Sequence, residues 1–241
     1  DDAHAVLKAT DADGAELARV RVAASFKLTA SSASDWIDSS FAKPLARADS
    51  RSVLVAIDVA SGTRTVLLDT EGMSYFPGPV SPDNRTLVVL SESDTTPEAG
   101  PQVRLHLLDV SGPAGEAAAE AALTPLAHDW DRWPRPAAWL PDGSALLVTA
   151  DEDGAAPVFR ISVGAHGAAG QVTRLTADTA AYTDVVAAPD GRTAYALRSS
   201  YEFPAEAVRI DLAGGGTVRL PAPAERPQYK GSLERVEATA A

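Results

Sequence analysis

Leu140-Pro141-Asp142-Gly143-Ser144 decides the fold, because the same kind of turn recurs between other apolar runs. Its counterparts are Ser81-Pro82-Asp83-Asn84 and Ala188-Pro189-Asp190-Gly191. Pro presets φ for the first corner of a tight turn, and Gly or Asn accepts the positive φ that follows. Strand-like runs follow these turns, over Thr86–Leu90, Ala145–Thr149 and Thr193–Leu197. The sequence therefore predicts three hairpins, whose prolines are 59 and 48 residues apart.

A second marker repeats at the same interval. Four alternating apolar runs each contain an acidic or hydroxyl residue shortly before a glycine turn. These residues are Asp58, Asp109, Ser162 and Asp211, which lie 51, 53 and 49 residues apart. Two independent markers sharing a period of about 50 residues are typical of propeller blades, each a four-stranded sheet. We therefore predict an all-β fold, a β-propeller with four to five blades, whose ring is closed or incomplete. A β-sandwich with accidental regularity is the alternative.

The remaining segments fit this organisation less closely. Ala3–Ala9 and Leu17–Val22 flank the turn Asp11-Ala12-Asp13-Gly14 and predict an N-terminal hairpin. Phe41–Ser50 is the least regular stretch, and Ala114–Leu123 reads as a loop or one short helix. We assign residues 1–220 to the propeller or part of it. The Pro-rich residues 221–230 form a predicted linker, and residues 231–241 the start of another strand.

Composition excludes several classes of function. The 241 residues are 45% hydrophobic and 22% charged, and the formal net charge is −12. An acidic chain is a poor partner for nucleic-acid phosphates or anionic lipid. No apolar run approaches the roughly 20 residues of a membrane span. The absence of cysteine excludes disulfides, thiolate catalysis and zinc knuckles. We expect no cofactor, no nucleic-acid partner and no membrane association.

Residues Asp131–Arg160 carry a resemblance to a known family. The run from Asp131-Arg132-Trp133-Pro134 through Pro157-Val158-Phe159-Arg160 resembles the propeller of the prolyl oligopeptidase family of serine peptidases. It is most similar to the bacterial acylaminoacyl-peptidase and dipeptidyl-aminopeptidase members. Residues 182–199 resemble the last blade of such a propeller, and Leu233–Thr239 resembles the first strand of the hydrolase domain that follows it.

The resemblance implies a two-part enzyme. In that family a propeller admits short peptides to an α/β-hydrolase domain bearing a Ser-Asp-His triad. This chain has no Gly-x-Ser-x-Gly nucleophile elbow, since Gly72-Met73-Ser74-Tyr75-Phe76 ends in Phe. It therefore resembles the substrate-gating, non-catalytic portion, acting on short peptides with a hydrolase domain from the same or another polypeptide. We expect a cytoplasmic location and no catalytic residue in this chain.

Two aromatic loops supply the candidate gating residues. Trp130, Arg132 and Trp133 lie in a predicted loop, where they would line the channel mouth or face a hydrolase domain. Tyr201 and Glu202 lie in a loop of the last repeat, where Glu202 would meet a peptide amino group. Ordinary core and loop contacts are the alternative for both groups.

No metal site is predicted. The four histidines lack ligand spacing, and the acidic turns Asp11–Gly14 and Asp151–Gly154 do not complete a calcium loop.

Two other functions remain open at this point. One is a free-standing propeller that serves as a protein-interaction scaffold, like the TolB-type or WD-repeat propellers. The other is a glycan-cleaving propeller, which would need two carboxylates facing each other across a cleft. An incomplete ring would leave sheet edges unpaired, and such edges favour pairing with another chain, so a homo-oligomer is a further expectation.

Overall fold

The structure is a computed structural model that describes residues 5–10, 16–22, 52–96, 99–111, 123–164, 170–222 and 231. The chain divides into two compact units, Asp1–Arg51 and Ser52–Ala241. In the first unit, β1 (Ala5–Thr10) pairs antiparallel with β2 (Glu16–Val22), which confirms the predicted N-terminal hairpin. The predictions for Phe41–Ser50 and for residues 114–122, 223–230 and 232–241 lie outside the described residues.

The second unit is built from short strands joined by turns. Its described strands are β3 (Leu54–Ile57), β4 (Arg64–Leu68), β5 (Met73–Val80), β6 (Thr86–Ser93), β7 (Val103–Asp109), β8 (Leu123–Leu126), β9 (Arg135–Trp139), β10 (Ala145–Thr149), β11 (Val158–Ser162), β12 (Val172–Arg174), β13 (Ala181–Ala187), β14 (Thr193–Ser200), β15 (Phe203–Asp211) and β16 (Thr217–Arg219). No helix occurs among the described residues, so none there could cross a membrane.

The strands form sequential antiparallel sheets. The orders are β5-β6-β7-β8, β9-β10-β11-β12 and β13-β14-β15-β16, while β3 and β4 form a two-stranded sheet within the described residues. β3 and β4 correspond to the third and fourth strands of a complete sheet. The repeated acidic residue shows this, because Asp58 directly follows β3, just as Asp109 and Asp211 end the third strands β7 and β15. β9, the first strand of its sheet, lies beside the first strands β5 and β13. This side-by-side arrangement of four-stranded blades confirms the all-β propeller prediction; the sheets do not close a ring within the described residues.

Apolar clusters fill the spaces between neighbouring sheets. β10 (ALLVT) is buried along its whole length because its sheet has a neighbour on each face. Leu147 belongs to the cluster shared with β13–β16, whereas Leu146 and Val148 belong to the cluster shared with β5–β8. Trp139 is 8% exposed, and its indole N–H donates to the carbonyl of Pro79 in the preceding sheet at 3.1 Å. Trp139 therefore packs between the two sheets.

The three Pro-Asp turns share one hydrogen-bond pattern. The N–H groups of Asn84, Gly143 and Gly191 donate to the carbonyl oxygens three residues earlier, at 2.9, 2.9 and 3.0 Å. These three residues have φ values of 59, 71 and 65°, the left-handed region that Gly and Asn tolerate best. The Asp142 carboxylate accepts the backbone N–H of Ser144 at 2.9 Å, and hydrogen bonds from Ser144 lower the pKa of Asp142. We call this end of each sheet the turn end, and the opposite end the loop end.

Every complete sheet has an irregular first strand. The register between the first and second strands shifts at residues 77–80 of β5, at residues 136–138 of β9 and at residues 183–186 of β13. Such bulges bend a strand and re-aim its side chains. In β5 the bulge contains Gly78, where a Cβ would lie 3.0 Å from the Val88 side chain and 3.2 Å from Pro136. The close packing of this bulge against Val88 and Pro136 therefore favours glycine, because a Cβ would force these side chains to shift.

Candidate functional site

All five predicted gating residues lie at the loop end of their sheets. Trp130, Arg132 and Trp133 lie in the segment that leads from β8 into β9, and Tyr201 and Glu202 form the turn between β14 and β15. No hydrogen bond or ion pair joins the two groups among the described residues. Their gating role stays a prediction, and their surroundings differ from one residue to the next.

The two tryptophans have different environments. Trp130 is half-buried against an interior cluster and meets the Phe159 ring edge-on, with ring centroids 4.7 Å apart. Trp133 is 53% exposed and follows a backbone turn in which the Arg132 N–H donates to the Trp130 carbonyl. Trp130 therefore anchors the loop on the core, and Trp133 presents an aromatic surface to solvent.

Arg132 is held by ion pairing. Its guanidinium donates to Glu152 at 3.3 Å, and Arg174 donates to the other oxygen of the same carboxylate at 2.7 Å. The Glu152 side chain is only 18% exposed, so these two arginines compensate a largely desolvated charge. Arg132 is thus bound within the loop, although its Nε has no hydrogen-bond partner among the described residues.

Tyr201 and Glu202 are open to solvent. Tyr201 is 92% exposed, and the Glu202 backbone N–H donates to the Ser200 hydroxyl at 3.0 Å. A large exposed aromatic ring beside a carboxylate, at the tip of a two-residue turn, can contact a ligand without moving the sheet.

A second charged cluster was missed by the sequence analysis. Arg198 donates to the carboxylates of Glu206 and of Asp178, the latter at 3.0 Å, and Arg219 lies 3.0 Å from Glu206. Burial acts to lower the pKa of Arg198, but the hydrogen bonds that its guanidinium donates to Glu206 and Asp178 outweigh burial and raise that pKa. A signal was available, because Glu206 stands at an inward position of the alternation that continues with Val208 and Ile210.

A cavity of about 510 Å³ lies between β9 and β13 at the loop end. Its walls come from Arg135, Pro136, Ala137, Thr149, Asp151, Ala156, Ala181, Tyr182, Thr183, Asp184 and Val185. A volume in this range suits a small ligand or a few residues of a peptide. The sequence gives no signal for this cavity, because its walls come from two sheets.

The polar rim of this cavity contains one balanced ion pair. Arg135 donates to both oxygens of Asp151, at 3.0 and 2.8 Å. These hydrogen bonds lower the pKa of the Asp151 carboxyl and raise that of the Arg135 guanidinium. Tyr182 lines the floor, and burial raises the pKa of its hydroxyl, which donates to Asp178 at 2.9 Å.

A serine and a histidine meet on another face. The Ser91 Oγ and the His106 Nε2 lie 2.8 Å apart beside a cavity of about 130 Å³. No carboxylate orients this histidine within the described residues, and Ser91 is 2% exposed, so the pair lacks the third member and the access of a hydrolytic triad. The described residues also contain no group of three or more His, Asp or Glu placed to hold a metal ion.

No family model and no curated protein matches this chain. Among solved structures, it resembles puromycin hydrolase complexed with PGG, with a TM-score of 0.54 and 20% identity over 71% of this chain. It also resembles a Mycobacterium tuberculosis puromycin-hydrolyzing peptidase, with a TM-score of 0.52 and 16% identity over 70% of this chain. TolB from Acinetobacter baumannii gives a TM-score of 0.47 and 20% identity over 70% of this chain.

These likenesses concern part of a larger molecule. The chain spans 27% of each of the two peptidases and 40% of the TolB structure. At such identities the resemblance to the two peptidases is one of fold. It agrees with the sheet arrangement described above.

Proposed function

We propose that this chain is the substrate-gating, non-catalytic propeller portion of a serine peptidase that cleaves short peptides. In this proposal it acts with an α/β-hydrolase domain supplied by the same or another polypeptide. The observation that carries the proposal is the shared fold with two peptidases of which the chain spans about a quarter. The absence of a Gly-x-Ser-x-Gly elbow from the 241 residues agrees with a non-catalytic portion.

The loop end is the face that would meet peptides. It carries exposed Trp133 and Tyr201 and the mouth of the cavity between β9 and β13. Exposed aromatic rings give a large contact area at low entropic cost, which suits the recognition of varied side chains. The net charge of −12 would attract peptides with cationic ends.

The first test asks whether the native protein includes a hydrolase. An antibody against this chain recovers the native protein, whose intact mass is measured and which is then treated with a fluorophosphonate that labels active serines. We expect a larger labelled polypeptide or a co-purifying labelled partner, while the 241-residue chain alone shows no turnover of aminoacyl substrates. A native protein of this chain's own mass, with no labelled partner, would contradict the proposal and favour the interaction scaffold.

The second test addresses gating in that native enzyme. Trp133→Ala and Tyr201→Ala should raise kcat/KM for longer peptides relative to dipeptide substrates, because a bulky ring at the loop end is removed. Val59→Ala is the matched control, since Val59 is 98% exposed but lies in the turn between β3 and β4 at the turn end. An unchanged length preference in both aromatic variants would remove the gating role from these residues.

A further inference from the structure

The cavity between β9 and β13 combines an apolar floor with a polar rim. The floor consists of the ring of the buried Tyr182 and of small apolar side chains, those of Ala137, Ala156, Ala181 and Val185. Ligand sites of this kind bind an apolar body by burial and fix its orientation with a few polar groups. The net charge of the rim decides whether cationic or anionic ligands are attracted.

Asp184 sets that preference. The Arg135–Asp151 pair is neutral as a unit, whereas Asp184 has no cationic partner among the described residues. Its Oδ2 accepts the Thr183 hydroxyl at 3.0 Å, so the carboxylate is oriented but not neutralised. The rim therefore carries one uncompensated negative charge.

The backbone at Asp184 is strained. Its φ is 52°, in the left-handed region that a residue with a side chain rarely adopts, and it lies within the bulge of β13. Without this bulge the residue would follow the regular alternation of the strand. The bulge re-aims the carboxylate, and the side chain lines the cavity.

Thr149 provides a second, independent observation. It ends β10, is 6% exposed and lines the same cavity, but its hydroxyl has no hydrogen-bond partner among the described residues. The hydroxyl oxygen itself is not fully enclosed, so it is open to the cavity, where water or a ligand's polar group can meet it. An unpartnered hydroxyl facing a cavity is a place for a ligand's polar group.

We propose that this cavity binds small organic ammonium ions, with the charged group at Asp184, a polar group at Thr149 and an apolar body against Tyr182 and the alanines. Both a free amine and the amino end of a peptide have this chemistry. The inference concerns the 241-residue chain alone and does not depend on the proposed peptidase.

The experiment uses 2-phenylethylammonium as the probe, with the purified chain and an NMR titration at neutral pH and low salt. We expect saturable binding, which weakens as salt screens the charge pair. Neutral N-acetyl-2-phenylethylamine has the same ring without the charge and should bind at least about ten-fold more weakly. A tripeptide amide with a free amino end, compared with its acetylated form, then distinguishes the peptide source from the free amine.

Two variants test the named groups. Asp184→Asn should weaken probe binding about five- to ten-fold, because it removes the charge while Asn tolerates the left-handed backbone. Asp153→Asn is the matched control, since Asp153 also has a positive φ, 50°, but does not line the cavity. Thr149→Val should weaken binding of a probe that carries a polar group beside its ammonium, such as 2-amino-3-phenylpropanol, about three-fold.

Folding does not confound the Thr149 variant. Replacing a hydroxyl that has no hydrogen-bond partner among the described residues by a methyl group should leave the melting temperature unchanged or higher. Three outcomes would each overturn the proposal: no saturable binding of the ammonium probe, equal affinity for its neutral acetylated form, or equal losses in Asp184→Asn and Asp153→Asn. Wild-type affinity in both Asp184→Asn and Thr149→Val, each with its own probe, would also overturn the proposal.

Discussion

At the residue scale, single side chains decide what the sheets can tolerate, and His106 is the clearest case. Burial, followed by the charges of His128 and Arg104, lowers the pKa of His106 from 6.5 to about 4. Its ring meets His128 edge-on at 4.8 Å, and its Nδ1 has no hydrogen-bond partner among the described residues. The folded protein therefore holds this imidazole neutral at a pH where the unfolded chain protonates it.

This difference predicts acid destabilisation. A depressed folded-state pKa contributes stability that is fully present above pH 6.5 and is lost as the pH falls from 6.5 to about 4. After allowance for partial exposure, the loss attributable to His106 is about 2 kcal/mol at most. Urea unfolding of wild type and His106→Gln at several pH values checks this, since the carboxylates titrate alike in both. Parallel curves for the two proteins would refute the assignment.

At the element scale, the repeated turns account for why the fold could be predicted from the sequence. Local chemistry decides them: Pro141 fixes one φ, Gly143 accepts a φ of 71°, and the Asp142 carboxylate accepts the backbone N–H of Ser144. Nothing distant in the chain is needed to form such a turn. Their period then implied four-stranded units, and the described part of the chain has three complete sheets with these turns between the first and second strands.

The functional surfaces were less predictable for a physical reason. The Arg198–Glu206 pair, the re-aimed Asp184 and the cavity that it lines all depend on strand register or on contacts between sheets. Local propensity does not determine where a bulge shifts the register. Trp130 shows the same limit, because its sequence neighbours suggest an open loop while its ring packs edge-on with the Phe159 ring of β11.

The turns give a quantitative prediction of their own. Gly143→Ala should lower the free energy of unfolding by about 1 kcal/mol, because a Cβ disfavours a φ of 71° although no atom lies within 4 Å of it. Gly100→Ala is the matched control, since Gly100 also has open space but no positive φ, and it should be neutral or slightly stabilising. Thermal unfolding of both variants measures the difference; equal melting temperatures would show that the turn tolerates a side chain.

At the scale of the whole second unit, stability should be graded from sheet to sheet. The β9–β12 sheet has apolar clusters on both faces, and Leu146, Leu147 and Val148 have no exposed surface. Within the part of the chain that the structure describes, the β13–β16 sheet has an apolar cluster on one face only. Its other face is open and carries Val186, Tyr195 and Val218, at 54, 41 and 51% exposure.

This gradient predicts the order in which backbone amides exchange with solvent. Local opening is least favourable where apolar surface is buried on both sides, so amides of β10 and β11 should exchange most slowly, near the rate of global unfolding. Amides of β14 and β15 are equally well hydrogen-bonded within their sheet but should exchange at least about ten-fold faster, because opening that sheet exposes one apolar face rather than two. Hydrogen exchange followed by mass spectrometry of peptides from β10–β11 and β14–β15 measures both in one sample. Equal protection of the two sheets would contradict the gradient. It would mean that the unit opens only as a whole, or that another surface covers the open face of β13–β16 in solution. Repeating the measurement over a range of protein concentrations distinguishes self-association from intrinsic cooperativity.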